Sequence, residues 1–403
     1  MNRSTLFSSV VTAVVALGAL CASTWRAEAQ YTQTDLVSNL PSLGATITDP
    51  QLVNPWGVSR ITSPFSTPFW VSNQGSNNTT LYTVTGKTNV SKVNINAPSG
   101  FVSIPTTASG PQGPTGQVSN TNSGAFDVGN GGNGASALFI FANLNGTISA
   151  WNMASGLSAF VQPAATTPGA VFSGLAINQG QTMLYAADEA GGKIDVFNSS
   201  FAPMSLGSGA FMTPPAIAAL GLLPFNVQDL GGNVYVTYAP SGLTAQRNAT
   251  PGQGGVAVFT EQGVLEPSKT IVGSALAAPW GVALAPAGFG PFGGDLLVGN
   301  FSFLNSEINA FDPTTGALLG SIPINPGLGD TAGGLWTLAF GGGGSNGDPG
   351  TLYFTDGING EADGLFGAIS VPEPSTWAMM LIGLGGLGLA ATCRRRQSPT
   401  AIG

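Results

Sequence analysis

One arrangement of short strands recurs six times between residues 54 and 369, and no other feature narrows the fold as much. Each unit starts on Pro-Trp-Gly or a looser relative: NPWGVSR from Asn54, PTGQVSN from Pro114, FSGLAIN from Phe172, LPFNVQDL from Leu223, APWGVALA from Ala278 and GLWTLAF from Gly334. A second apolar strand follows: FWVSN, LFIFAN, LYAAD, VYVTY, LLVGN or LYFTD. A third comes next: TLYTV, TISAW, KIDVF, VAVFT, EINAF or LFGAI. The second strands end at Asn73, Asn143, Asp188, Tyr238, Asn300 and Asp356, at intervals of 45 to 70 residues.

Repetition of one supersecondary unit at this period is the mark of a radially repeated sheet. Six units of about four strands predict an all-β chain folded as a six-bladed β-propeller. A fourth strand is visible where the turn Asp312-Pro313-Thr314-Thr315-Gly316 leads into ALLGSI. Insertions such as SGLTAQRNATPGQGG after Tyr238 and the stretch from Ser91 to Ala125 absorb the uneven spacing, because lengthening a loop costs little free energy. A β-helix would repeat at a shorter period, and a sandwich array would not keep the order of start, middle and end. The last unit lacks a fourth strand, and YTQTDLVSNL from Tyr31 has the pattern to supply it, pairing the first strand with the last and removing two open edges.

Composition supports a packed interior. The chain has 59 glycines among 403 residues without a collagen period, and 43% hydrophobic residues with 22 phenylalanines. That apolar content is too high for disorder. Histidine is absent, which excludes histidine-containing triads and histidine-ligated metal centres. Cys21 and Cys393 both lie in terminal apolar segments, so the middle of the chain has neither a disulfide nor a thiol nucleophile. Residues 30–370 hold 17 acidic and six basic side chains, near −11. That charge argues against nucleic acid.

The two ends read as export signals. Arg3, the run LFSSVVTAVVALGAL and the small residues Ala27 and Ala29 form a secretory signal peptide over 1–29. At the other end, Trp377 to Thr392 is a 16-residue apolar run followed by Arg394, Arg395 and Arg396. The arginines are the positive-inside anchor of a single transmembrane helix, which puts the propeller of 30–370 outside and the tail 397–403 in the cytoplasm. Pro372, Glu373 and Pro374 precede the helix. Pro-Glu-Pro, helix and arginine cluster over 371–396 resemble the PEP-CTERM protein-sorting signal of Gram-negative bacteria. The resemblance implies processing by an exosortase, release from the transient membrane anchor, and delivery to the cell surface or exopolysaccharide matrix.

The strand order of the middle resembles NHL and lactonase-like propellers, where a GVA-type strand precedes a YVAD-type and an IxVF-type strand. The whole exported region is similar to an uncharacterised bacterial family often carrying PEP-CTERM tails. Blade geometry brings the start of the first strand and the end of the second to one face. That face would carry Trp56, Phe225, Trp280 and Trp336 with Asn73, Asn143 and Asn300, an aromatic-and-amide rim suited to sugars or apolar ligands. Two readings stay open for each: the aromatics either face a ligand or wedge between blades, and the Asn and Asp side chains either face a ligand or cap their own turns.

The resemblance to lactonase-like propellers implies a divalent ion in the channel, with Asp188, Asp356 and Asn300 as its ligands and Asn73 and Glu189 close by. Ca2+ is the cation that such oxygen donors suit. The early glutamate of those enzymes is missing, since Asn54-Pro55-Trp56 stands in its place. The loop DGINGEADG from Asp356 lacks the EF-hand order and reads as a turn linking strands. The expected function is therefore a surface- or matrix-associated binding or structural propeller. The alternative is a metal-dependent hydrolase of the lactonase-like type.

Overall fold

The computed structural model describes residues 31–95, 100–107, 110–129 and 132–372. The signal peptide over 1–29 and the sorting helix with Arg394, Arg395 and Arg396 lie outside the described residues. Among the described residues no helix is long and apolar enough to cross a membrane.

Six sheets, antiparallel but for one short parallel pair at the outer edge of the last, stand in a ring. Their innermost strands are Pro55–Ser59, Pro114–Ser119, Phe172–Ile177, Leu223–Leu230, Pro279–Leu284 and Leu335–Phe340, here blades 1 to 6. Each inner strand touches the next, and blade 6 touches blade 1, so the ring is closed. The chain forms the six-bladed β-propeller that its repeat predicts. Blade 6 takes its fourth strand, Thr32–Ser38, from the N-terminal end, beside Leu365–Ser370. Residues 33–370 form one compact unit.

Three blades depart from four strands: blade 6 has five, because Ile47–Thr48 pairs in parallel with the closing strand. Blade 3 has three, because the segment after Asn198 meets its neighbour only through a bridge from Phe197 to Pro203. Pro203 has no N–H to continue a ladder. Blade 1 has five: within the Ser91–Ala125 insertion, Phe101–Ser103 pairs with the start of Asn78–Thr85.

The repeated motif does one structural job six times. Its first residue pairs with the last residue of the second strand, as in Pro55 with Asn73, Pro279 with Asn300 and Leu335 with Asp356. Just after that pair every inner strand is bulged. A bulge turns the strand locally and re-aims its side chains. The third motif residue is then pressed against the backbone of the next blade. A Cβ on Gly57 would lie 2.5 Å from the Thr115 carbonyl oxygen. Gly116 faces Leu175, Gly174 faces Asn226, and Gly281 faces the Trp336 carbonyl in the same way. Where glycine is replaced, the side chain bonds to that backbone instead. Asn226 Nδ2 donates to the Trp280 carbonyl at 2.9 Å, and Thr337 Oγ1 donates to the Trp56 carbonyl at 2.7 Å.

Farther out, apolar layers fill the seams between blades. Phe69 and Tyr82 of blade 1 meet Tyr353 and Phe366 of blade 6. This seam is built partly by Leu36 and Val37 of the closing strand, both fully buried. Closure of the ring thus rests on buried apolar area as well as on edge hydrogen bonds.

Candidate functional site

The inner strands begin on what we term the upper face and end on the lower face. The second motif residue of each strand points to the ring axis, and there the blades differ. Blades 1, 4, 5 and 6 carry Trp56, Phe225, Trp280 and Trp336, whereas blades 2 and 3 carry Thr115 and Ser173. The small residues make room for the large ones. Trp280 Nε1 donates across the ring to the Ser173 carbonyl at 2.9 Å.

The four aromatics form neither an open rim nor wedges between neighbouring blades; they stack on one another at the axis. Trp56 lies on Trp336 with ring centroids 3.4 Å apart, and Trp280 meets both edge-on at 6.2 and 5.6 Å. Phe225 joins at 5.9 Å from Trp336. Trp336 is fully buried, while Trp56 and Trp280 are 5% and 4% exposed. This aromatic plug separates two cavities, with Trp56 and Phe225 lining the upper one and Trp280 the lower one.

The upper cavity holds about 650 Å³, within the usual range of small-molecule sites. Above its aromatic floor runs a belt of polar side chains from loops of separate blades. Gln74 Nε2 donates to the Gln112 carbonyl at 2.7 Å, and Asn54 Nδ2 donates to Gln74 Oε1 at 2.9 Å and to Glu361 Oε1 at 3.0 Å. The other carboxylate oxygen of Glu361 accepts from Arg247 Nε at 2.9 Å and from its terminal nitrogen. Next to Arg247 on the short helix Leu243–Arg247, Gln246 Nε2 donates to Glu189 Oε1 at 2.7 Å. Asn54 also fixes the plug, since Trp336 Nε1 donates to its Oδ1 at 3.0 Å.

Burial raises the pKa values of Glu361 and Glu189. The bonds from Arg247 and Asn54 oppose the shift at Glu361, and those from Gly242 and Gln246 oppose it at Glu189. Two backbone positions hold the belt in place. Asn54 and Glu361 both have positive φ, 44° and 69°, a conformation uncommon for residues with a Cβ.

The asparagines and aspartates at the second-strand ends all lie on the upper face. Asn73 Nδ2 donates to Asn78 Oδ1 and Thr80 Oγ1 of its own hairpin, and Asn143 Nδ2 donates to Thr147 and Ser149 of its own. Asp188 Oδ1 accepts from the Val171 and Gly191 N–H groups at 3.1 and 2.9 Å. Asn300 Oδ1 accepts from the Ala277 N–H at 3.0 Å, and its Nδ2 donates to the Ala275 carbonyl. Each of these four is tied into its own blade and the loop leading into it. Asp356 differs: it is fully buried, neither carboxylate oxygen has a hydrogen-bond partner among the described residues, and burial with nearby Glu361 pushes its pKa well up. Among the described residues, no group of three or more Asp, Glu, His or Cys is placed to hold a metal ion.

Sequence reading alone passed over Gln74, Gln246, Arg247 and Glu361. Arg247 lies in a segment that reads as a filler insertion, and Glu361 in one that reads as a turn. The available signal was scarcity: Arg247 is one of six basic residues between 30 and 370, and a rare cation in an acidic chain is seldom idle.

"Uncharacterized protein R648" of Acanthamoeba polyphaga mimivirus is 30% identical over 344 residues, spanning 83% of this chain and 78% of its own length. The chain belongs to the same family as that protein. A second mimivirus protein, "Uncharacterized protein L690", is 29% identical over 356 residues, spanning 85% of this chain and 87% of its own length. Among solved structures, a protein of unknown function from Bacteroides thetaiotaomicron covers 85% of this chain and 77% of its own, with 12% identity and a TM-score of 0.47. The pattern of the PEP-CTERM protein-sorting motif matches residues 370–396. That motif implies an exported, transiently membrane-anchored protein processed by an exosortase. The family itself remains without an assigned activity.

Proposed function

We propose that this exported propeller is a non-catalytic binding module of the cell surface or extracellular matrix, and that its upper cavity takes a neutral saccharide of the exopolysaccharide. One observation carries the reading: an aromatic floor of Trp56 and Phe225 lies beneath a belt of amide and carboxylate groups within a single cavity of about 650 Å³. Sugars present an apolar face of C–H groups and a periphery of hydroxyls. An aromatic surface complements the first, and mixed donors and acceptors complement the second. Arg247 is paired with Glu361, and Glu189 is held by the Gln246 amide and the Gly242 N–H, so the cavity has no free cation to draw an anion and offers mainly hydrogen bonds.

The test is to titrate the full-length protein with exopolysaccharide from the producing cells and with neutral oligosaccharides, following tryptophan emission. We expect a saturable change that weakens at least about tenfold in Gln74→Ala, a loss of roughly the size of one or two hydrogen bonds. A flat response to every neutral glycan would overturn the proposal.

A further inference from the structure

The wall of the upper cavity holds three charged side chains, Glu189, Arg247 and Glu361. Arg247 and Glu361 form an ion pair, which cancels two of the charges. The Arg247 guanidinium also lies over the Phe303 ring, 5.2 Å from its centroid. Glu189 is settled differently, because its partners are neutral: Gln246 Nε2 donates to it at 2.7 Å and the Gly242 N–H at 3.1 Å. Lys193, in the same hairpin, is engaged by Asp195 at 2.6 Å. The charge that bears on Glu189 is that of Asp188, which is of like sign. The wall therefore carries one unbalanced negative charge.

Both donors of Glu189 go to Oε1. Its Oε2 has no protein donor among the described residues and is not one of the buried polar atoms. Glu189, Gly242 and Gln246 all line the cavity, so the carboxylate stands between two groups of the wall. An ionised carboxylate only accepts hydrogen bonds. From a ligand it can take a hydroxyl, whereas a second carboxylate is repelled, and in a half-enclosed site that repulsion exceeds its value in open water.

We propose that Glu189 is the specificity-determining residue of this cavity: its Oε2 accepts a sugar hydroxyl, and its charge makes the site take neutral sugar units and reject uronates. The inference rests on the saccharide reading of the upper cavity. A hexose and its uronic acid share the ring and its apolar face, and differ in a CH2OH against a COO−. The aromatic floor of Trp56 and Phe225 treats both alike, so the choice falls to the charge of the wall. A free Arg247 would reverse the preference, but its Nε and a terminal nitrogen are both bonded to Glu361.

The probes are neutral fragments of the exopolysaccharide and the same fragments after oxidation of their primary hydroxyls to carboxylates, titrated into the full-length protein at pH 8 and low salt. The wild type should bind the oxidised form at least about tenfold more weakly. Glu189→Gln keeps an acceptor and removes the charge. It should narrow the gap to less than about threefold while weakening neutral binding by no more than a few-fold. A merely structural role would weaken both forms alike and leave their ratio unchanged. If Glu189→Gln fails to fold, the wild type in rising salt answers the same question, because screening should narrow the gap without altering neutral binding. Equal binding of the two forms by the wild type, or a ratio that neither the variant nor salt changes, would overturn the role of Glu189 and leave the saccharide site standing. Failure of every neutral fragment to bind would overturn both.

Discussion

The two ends of the ring axis are built from the same six strands yet differ in how their charges are settled. On the upper face, Glu361 accepts from Arg247 and Asn54, and Glu189 accepts from Gln246, so the charged groups of the belt have protein partners, and only the buried Asp356 carboxylate beside them has none among the described residues. On the lower face, Arg60 Nε and Asp229 Oδ2 have no hydrogen-bond partner among the described residues. The difference follows from where the residues come from. Upper-face groups sit on loops of varied length that can reach across the mouth, as the helix Leu243–Arg247 does towards Glu361. Lower-face groups sit at the ends of rigid inner strands that keep them on opposite walls. Loops can bring opposite charges together, whereas a rigid ring holds them apart.

The comparison depends on the tryptophan plug between the two cavities, so removing the plug should have the largest effect. Trp336→Ala deletes a fully buried indole that stacks on Trp56 and bonds to Asn54. A loss of about 3–5 kcal/mol is expected in denaturant unfolding. A loss below about 1 kcal/mol would mean that the plug does not organise the axis. Gly281→Ala tests the close approach of the inner strands, because its Cβ would strike the Trp336 carbonyl oxygen and approach Leu338 N to 3.0 Å. About 1–3 kcal/mol should be lost by overpacking, and a neutral result would show that the ring can breathe at that seam.

Glu361→Gln probes the upper belt alone. The carboxylate is 7% exposed but Arg247 is 34% exposed, so solvent screens part of the interaction and about 1–2 kcal/mol is expected. Raising the salt concentration should shrink this difference. An effect that salt leaves untouched would point to lost packing instead.

The smallest effect concerns Asp356. Its folded pKa lies above the ordinary value of 3.8, so between 3.8 and the folded pKa the native state binds more protons than the unfolded state. Stability from this group is therefore fully present below 3.8 and declines as pH rises through the folded pKa. Asp356→Asn should flatten that decline and raise stability modestly at neutral pH. Denaturant midpoints measured from pH 4 to pH 8 would show it, and a wild type whose stability rises steadily over that range would contradict it. Glu361 and Glu189 shift in the same direction, so the variant should remove only part of the slope.

Much of the architecture was legible because it is written locally and repeatedly. Pro-Trp-Gly at 55–57 and again at 279–281 encodes a strand start, an axial aromatic and a close contact in three consecutive residues. Repetition multiplies that signal, and the leftover strand near Tyr31 had one remaining place to pair. The site was less legible. Trp56 and Trp336 could be assigned to one face, but that they stack depends on the room left by Thr115 and Ser173 on other blades. Asn73, Asn143 and Asp188 sit in the second-strand positions foreseen for them, and only the folded chain shows their hydrogen bonds turned back into their own blades.

By itself, then, the sequence determined the number of blades, the order of strands, the closing strand and the sorting motif, because each is a pattern within a few tens of residues. Tertiary structure alone decided which side chains share a cavity. Asn54 and Glu361 are 307 residues apart in the chain yet hydrogen-bonded, while the Nε of Arg60 has no hydrogen-bond partner among the described residues. Charge pairing is set by distance in space, and in a closed ring that distance depends on the radius and on the reach of each loop, which no local pattern encodes.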